Sequence, residues 1–234
     1  MLRRYLIMDR DPKRLDAFNY QLFKEMARIL EKVERRLGEK LFLKGSRCVG
    51  PKCAAVRRAY PPGLHGKKSG RRRRAGSEFG QLLREKQKLR FLYGLDDRKI
   101  KRYSREAAFG RGVFTENLLV LLERRLDNVI FRLGFAESRR IARQAVSHGH
   151  TTVNEKTITI PSYQVRSGDR VAIKEASLSS GHFADLEARL KKYEPPRWIS
   201  LDKNKKIGTI AAMPGLNDTA VNVDITKVKE FYSR

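Results

Sequence analysis

The hydrophobic period of the chain changes near residue 150, and that change sets the fold class. Before it, apolar residues recur every three or four positions; after it they alternate. Helices gathered ahead of strands predict an α+β chain. Leu15, Phe18, Leu22, Met26, Ile29, Leu30 and Val33 predict a helix over 13–37, ended by Gly38. Residues 41–76 are punctuated by Gly and Pro and read as a structured loop or an arm ordered by a partner. Ser77 caps a helix running to Tyr93, with Phe79, Leu82, Leu83 and Leu89 on its apolar stripe. A shorter helix is predicted around Arg98–Phe109. The strongest runs over 116–133, with Leu119, Leu122, Leu126, Val129, Ile130 and Leu133 on one face. Ser138 and Gly149 bound the next, "RRIARQAVSHG". "TTVNEKTITIP" and "YQVRSGDRVAI" each predict a strand pair about a turn, at Asn154–Lys156 and Ser167–Asp169. A helix over 182–193, the linker "PPRW" and a tail that reads as strand then helix complete the chain.

Charge limits the partners. Lysine and arginine number 52 against 26 acids, a net +26 in 234 residues. Such a surplus repels itself unless something neutralises it. Nucleic acid does so, because Lys and Arg release counterions as they approach phosphates. No apolar run approaches the ~20 residues that span a bilayer, the longest being Leu118–Leu122. A membrane partner is therefore not expected. The opening "MLRRYLIMDRDPKR" has too short an apolar patch, and too many acids, for a cleaved signal. The two cysteines are too few for a disulfide framework.

Three groups of cations are candidates for RNA contact. Arg139, Arg140 and Arg143 lie on one short helix, where planar guanidinium forks suit phosphate. His148, His150, Lys156 and Arg166 extend this patch into the strands. The three arginines are expected to be replaceable without loss of the fold. The second group is "KKSGRRRR": Lys67, Lys68, Arg71, Arg72, Arg73 and Arg74, read as an RNA-contacting arm. Tyr60, His65 and Phe79 nearby are candidates for base stacking. The third comprises Arg84, Lys86, Lys88 and Arg90 on the helix after Ser77.

Catalysis finds little support. Arg-Leu-Asp at Arg125–Asp127 also occurs in the catalytic motif of one pseudouridine synthase family, but there a Thr-Ser-Gly stretch follows. Here "VIFRLGF" follows, so Asp127 reads as a structural helix residue. No Ser/His/Asp order, phosphate-cradling glycine loop or His-Glu-x-x-His is present. In "SRCVGPKC", Cys48 and Cys53 resemble half of a metal site. A structural zinc wants four ligands, and only His65 stands near as a third.

The stretch from "RLDNVIFRLGF" to "RSGDRVAI" closely resembles the S4 RNA-binding domain. "LFLKGSRCVGPKC", "RRAYPPGLHG", "QLLREKQKLRFLYG", "WISLD" and "EFYSR" resemble the bacterial-type small-subunit ribosomal protein S4 family, from about Leu41 to the end. The resemblance implies a mostly helical lobe over 41–115, rejoined by 200–234, and a lobe over 116–199 holding the S4 domain at about 125–175. Residues 1–40, outside the resemblance, read as a divergent helical extension. It implies a structural constituent of the small ribosomal subunit that binds the 5′ domain of its rRNA and nucleates assembly. It also implies contact with neighbouring ribosomal proteins, a position near the messenger RNA entry path, and a part in translational accuracy. The setting is a cytoplasmic or organellar ribosome. An S4-bearing RNA-modifying enzyme and a free regulatory RNA binder are the alternatives. Two departures stand out. Asn154-Glu155 replaces the family's common Asn-Gly, so the turn must accept a glycine-free geometry or left-handed strain. Many members complete a zinc site with an earlier Cys-x₂-Cys; counted back without gaps, those positions are Glu31 and Glu34 here. No cofactor is therefore expected, and Cys48 and Cys53 stand as the remnant of a zinc knuckle.

Overall fold

The structure is a computed structural model that describes residues 30–67, 77–215, 218 and 222–233. The first part of the predicted 13–37 helix and most of the 67–74 basic run lie outside these residues. The chain divides into two compact units, 1–72 and 73–234.

In the first unit, helix α1 covers 30–37 and stops where Gly38 turns to φ 74°, its amide bonding back to the Glu34 carbonyl at 2.8 Å. Two short helices follow within the predicted loop, α2 (Ser46–Val49) and α3 (Ala54–Arg57). Among its described residues, Val33, Leu37, Leu41, Cys48 and Cys53 are the buried hydrophobic side chains, and Glu34 is buried with them. Arg35 fastens the far end, with its Nε on the Arg58 and Tyr60 carbonyls and its guanidinium over the Tyr60 ring.

The second unit has two cores. The first is helical and gathers α4 (Glu78–Leu92), α5 (Asp97–Phe109), α6 (Phe114–Glu123) and α10 (Ile225–Ser233) around Leu89, Tyr93, Ile100, Leu118, Leu122 and Val228. The Ser77 Oγ accepts from the Gly80 amide at 3.2 Å, so the predicted cap forms. The second core lies among α7 (Leu126–Arg132), α8 (Arg139–Ser147), α9 (Leu186–Lys191) and a sheet. The sheet holds β1 (Thr151–Val153), β2 (Lys156–Thr157), β3 (Arg170–Ile173), β4 (Ile199–Asp202) and β5 (Ile207–Ile210). All its pairings are antiparallel, in the order β2-β1-β3-β5-β4. The expected α+β class is the class observed.

Three expectations need correction. The helix predicted over 116–133 is two helices, because Arg125 drops to extended backbone (φ −65°, ψ 135°) and bridges to Gln164. That break sends α6 to the helical core and α7 to the sheet core. The pair predicted around Ser167–Asp169 forms only one strand there, β3; residues 163–165 instead bond along 124–126. Finally, 199–210 does not return to the helical lobe. It supplies β4 and β5 to the sheet, and only α10 packs on α4, α5 and α6.

Two backbone positions show how closely the sheet is specified. Gly208 on β5 lies under α7, and a Cβ there would sit 2.1 Å from Leu133 Cδ2. Between β1 and β2 the two-residue turn has φ 49° at Asn154 and 68° at Glu155, both left-handed. Asn154 suits this and also bonds the Asp169 carboxylate and the Arg170 amide. Glu155 bears the strain that glycine would relieve. Replacing Gly208 by Ala should lower stability by about 1–3 kcal/mol, and Glu155→Gly should raise it by about 0.5–1 kcal/mol. Denaturant unfolding of each variant measures both.

Candidate nucleic-acid interface

α8 begins at Ser138, whose Oγ accepts from the Ile141 amide, and it buries Ala142, Ala145 and Val146. Its arginines do not form the single free patch expected. Arg139 is half-buried between the Tyr93 and Phe131 rings, 4.8 and 4.5 Å from their centroids, and donates to Asn128 Oδ1 at 2.7 Å. Arg143 donates twice to Asp127 Oδ2, at 3.0 and 2.8 Å, and again to the Gly94 carbonyl. Arg140 is half-buried beside them. Arg139 and Arg143 thus fasten α8 to its neighbours, and removing them would damage the fold.

Their acid partners sit at the joint between the two cores. Asp127 is buried and takes Arg125 bidentately at 3.0 and 2.8 Å, while Arg125 Nη1 donates to the Tyr103 hydroxyl on α5 at 2.7 Å. Glu123 is fully buried and receives Tyr93 Oη at 2.6 Å, Asn128 Nδ2 at 2.8 Å and Arg132 at both oxygens, at 2.9 Å. Burial alone pushes the Glu123 carboxyl up, but the Arg132 hydrogen bonds and charge, with Arg139, outweigh it and hold the pKa below the ordinary value. Burial and the Glu123 charge push the Tyr93 phenol well up. Asp127, ringed by two guanidinium groups, is placed as a structural anchor and not as a nucleophile.

The helix after Ser77 is corrected in the same way. Lys86 is buried against Asp97 and lies 5.1 Å from the Phe231 ring centroid; Lys88 is buried on Glu85 at 2.7 Å. Arg90 bonds the Leu95 carbonyl and Gln87. Only Arg84 of that group is exposed. Phe79, a stacking candidate, packs 5.7 Å from Phe231, and Tyr60 lies beneath Arg35. His65 is exposed.

Other exposed cations lie on α5 and on the turns of the sheet module. On α5, Arg98, Lys101, Arg102 and Arg105 fall on one face, at i, i+3, i+4 and i+7, opposite the buried Ile100, Tyr103, Ser104 and Ala107. Arg98, Lys101 and Arg105 are exposed and engage no acid or carbonyl among the described residues. The sequence reading missed this stripe, although its spacing is visible. The S4 turns carry a second exposed set. Lys156 and Arg166 are exposed on neighbouring turns that Asn154 and Asp169 tie together. His148 is exposed 5.8 Å from His150, whose Nδ1 lies 2.9 Å from Ser177 Oγ. Lys67 is exposed, 5.8 Å from the Tyr60 ring centroid. Lys68, Arg71, Arg72, Arg73 and Arg74 lie outside the described residues. No described helix is long and apolar enough to cross a membrane.

In the first unit Glu34, Cys48 and Cys53 are buried, with one ligand atom of each within 4.8 Å of the others. Glu34 Oε1 accepts from the Leu41 and Leu43 amides at 3.2 and 3.1 Å, and Cys48 Sγ from the Lys44 amide at 3.3 Å. Glu31 is directed elsewhere, onto Lys44 Nζ at 2.7 Å and Arg47 Nε at 3.0 Å. Burial raises the pKa of both the Glu34 carboxyl and the Cys48 thiol.

A short-helix and sheet module with exposed cations is joined to a helical lobe through buried arginines and acids. Two family models match the chain: the ribosomal protein S4/S9 N-terminal domain over residues 29–123 and the S4 domain over 124–171. The chain belongs to the ribosomal protein S4 family, and it is not an enzyme. A relative from Syntrophomonas wolfei, named small ribosomal subunit protein uS4, is 48% identical over 202 residues, covering 86% of this chain and 94% of its own. Relatives of the same name from Desulfitobacterium hafniense and Thermus thermophilus are 49% and 47% identical over 200 residues, with the same coverage.

The buried acids give two expected outcomes. Asp127→Ala leaves Arg125 buried without a counter-charge and should cost about 3–5 kcal/mol in denaturant unfolding. Glu123, with a lowered folded pKa, contributes stability that is full above the ordinary glutamate value near 4.3 and is lost as pH falls through the folded value. Glu123→Gln should therefore flatten the pH dependence of stability in that acid range, as unfolding at stepped pH would show.

Proposed function

We propose that this chain is a structural constituent of the small ribosomal subunit that binds its rRNA directly and holds an RNA junction in its folded form. The exposed stripe Arg98, Lys101, Arg102 and Arg105 on α5 carries this reading, because its charge is left for an external partner. The turns bearing Lys156 and Arg166 offer a second contact in the S4 module, of a kind suited to phosphates and RNA shape. The family and the names of its relatives support the ribosomal setting. Binding to the 5′ domain, nucleation of assembly, contact with neighbouring ribosomal proteins, a place near the messenger RNA entry path and an effect on accuracy follow from the family resemblance. So does a cytoplasmic ribosome as the site of action.

If ~6–10 phosphates are neutralised, affinity for small-subunit rRNA should fall about 10³–10⁵-fold between roughly 50 and 200 mM salt. Changing Arg98, Lys101 and Arg105 together to Ala should reduce the slope of log affinity against log salt by about 2–3. The melting temperature should change little, since these side chains engage no acid or carbonyl among the described residues. An unchanged slope would remove α5 from the interface.

A further inference from the structure

We propose that the Glu34 carboxyl, seated on the Leu41 and Leu43 amides, closes the Cys48–Cys53 knuckle without a metal ion. A structural zinc takes four ligands in a tetrahedron, and among the described residues the side chains that could supply them here number three. Each of the three is only 1% exposed, so the cluster is closed to solvent. Glu31, at the other position where family members carry a cysteine, is held away by Lys44 and Arg47. The donor set does not fit a four-coordinate structural zinc.

The same geometry describes a working alternative. In a metal knuckle the ion ties the end of the first helix to the cysteine turns. Here Glu34 projects from α1 and its Oε1 receives two backbone amides of the 41–43 segment. That segment leads straight into α2, where the Lys44 amide donates to Cys48 Sγ. One carboxyl oxygen thus joins helix and turn. The other, Oε2, is buried with no hydrogen-bond partner. An anion left so would be costly. The charged and titratable groups around it are Glu31, Lys44, Cys48 and Cys53, and the Lys44 ammonium is taken by Glu31. One carboxyl and two cysteine side chains fill the cage that a cation and four sulfurs would otherwise require.

The test uses the full chain, expressed in zinc-supplemented medium. Metal analysis should find no stoichiometric zinc. Alkylation of Cys48 and Cys53 should be slow and unaffected by a chelator. Glu34→Gln keeps an oxygen for the two amides and a neutral donor on the other arm, so hydrogen-exchange protection at Leu41 and Leu43 should survive. Glu34→Ala should lose that protection and speed alkylation. A Glu31→Cys, Glu34→Cys double variant, with four sulfurs at the family's four positions, should take up zinc and so show that the assay detects it. Stoichiometric zinc in the parent, alkylation accelerated by a chelator, or Glu34→Gln behaving like Glu34→Ala would overturn the proposal.

Discussion

Two buried carboxylates hold the larger unit together. Asp127 and Glu123 lie at the joint between the helical core and the sheet core, and between them they gather Arg125, Arg132, Arg143 and Tyr93, with Arg139 close by. Guanidinium groups this deep in a chain of net +26 repel one another unless each has a counter-charge and its N–H groups are placed. The acids supply both. Because Tyr93, Gly94 and Tyr103 belong to the helical core and α7 and α8 to the other, the same bonds orient one core on the other.

This arrangement divides the positive charge into two populations. Arg125, Arg132, Arg139 and Arg143 are structural, as are Lys86 and Lys88 beside Asp97 and Glu85. The outer face of α5 and the turns of the S4 module remain exposed. Among the described residues, exposed cations of the second kind are free of the structural task that the buried arginines perform. In the smaller unit a buried acid likewise joins elements: Glu34 ties helix to turn through the Leu41 and Leu43 amides.

Much of the fold was legible along the chain because its signals are local. Ser77 and Ser138 cap the helices they precede, and the change of period places helices before the main strands. The errors arose where a residue answers to a distant partner. Arg125 breaks a continuous apolar stripe because its backbone pairs with Gln164, and nothing local marks that break. β4 and β5 are four residues each, too short to declare themselves before β5 pairs with β3 and β4 with β5. Arginines on α8 looked alike in sequence; burial against Tyr93 and Asp127, set by tertiary packing, separates them from a solvated face. The α5 stripe was within reach. Its cations follow helical spacing opposite Ile100, Tyr103 and Ala107, and weighing charge by face would have found it.

The division of cations can be measured residue by residue with an arginine-selective reagent, read by mass spectrometry on the free protein and on its complex with small-subunit rRNA. The account predicts that Arg98 and Arg105 react in the free chain and are protected by RNA. Arg125 should be unreactive in both states, and Arg139 slow in both. Arg139 reacting freely and becoming protected by RNA, with Arg98 and Arg105 indifferent to it, would contradict the account.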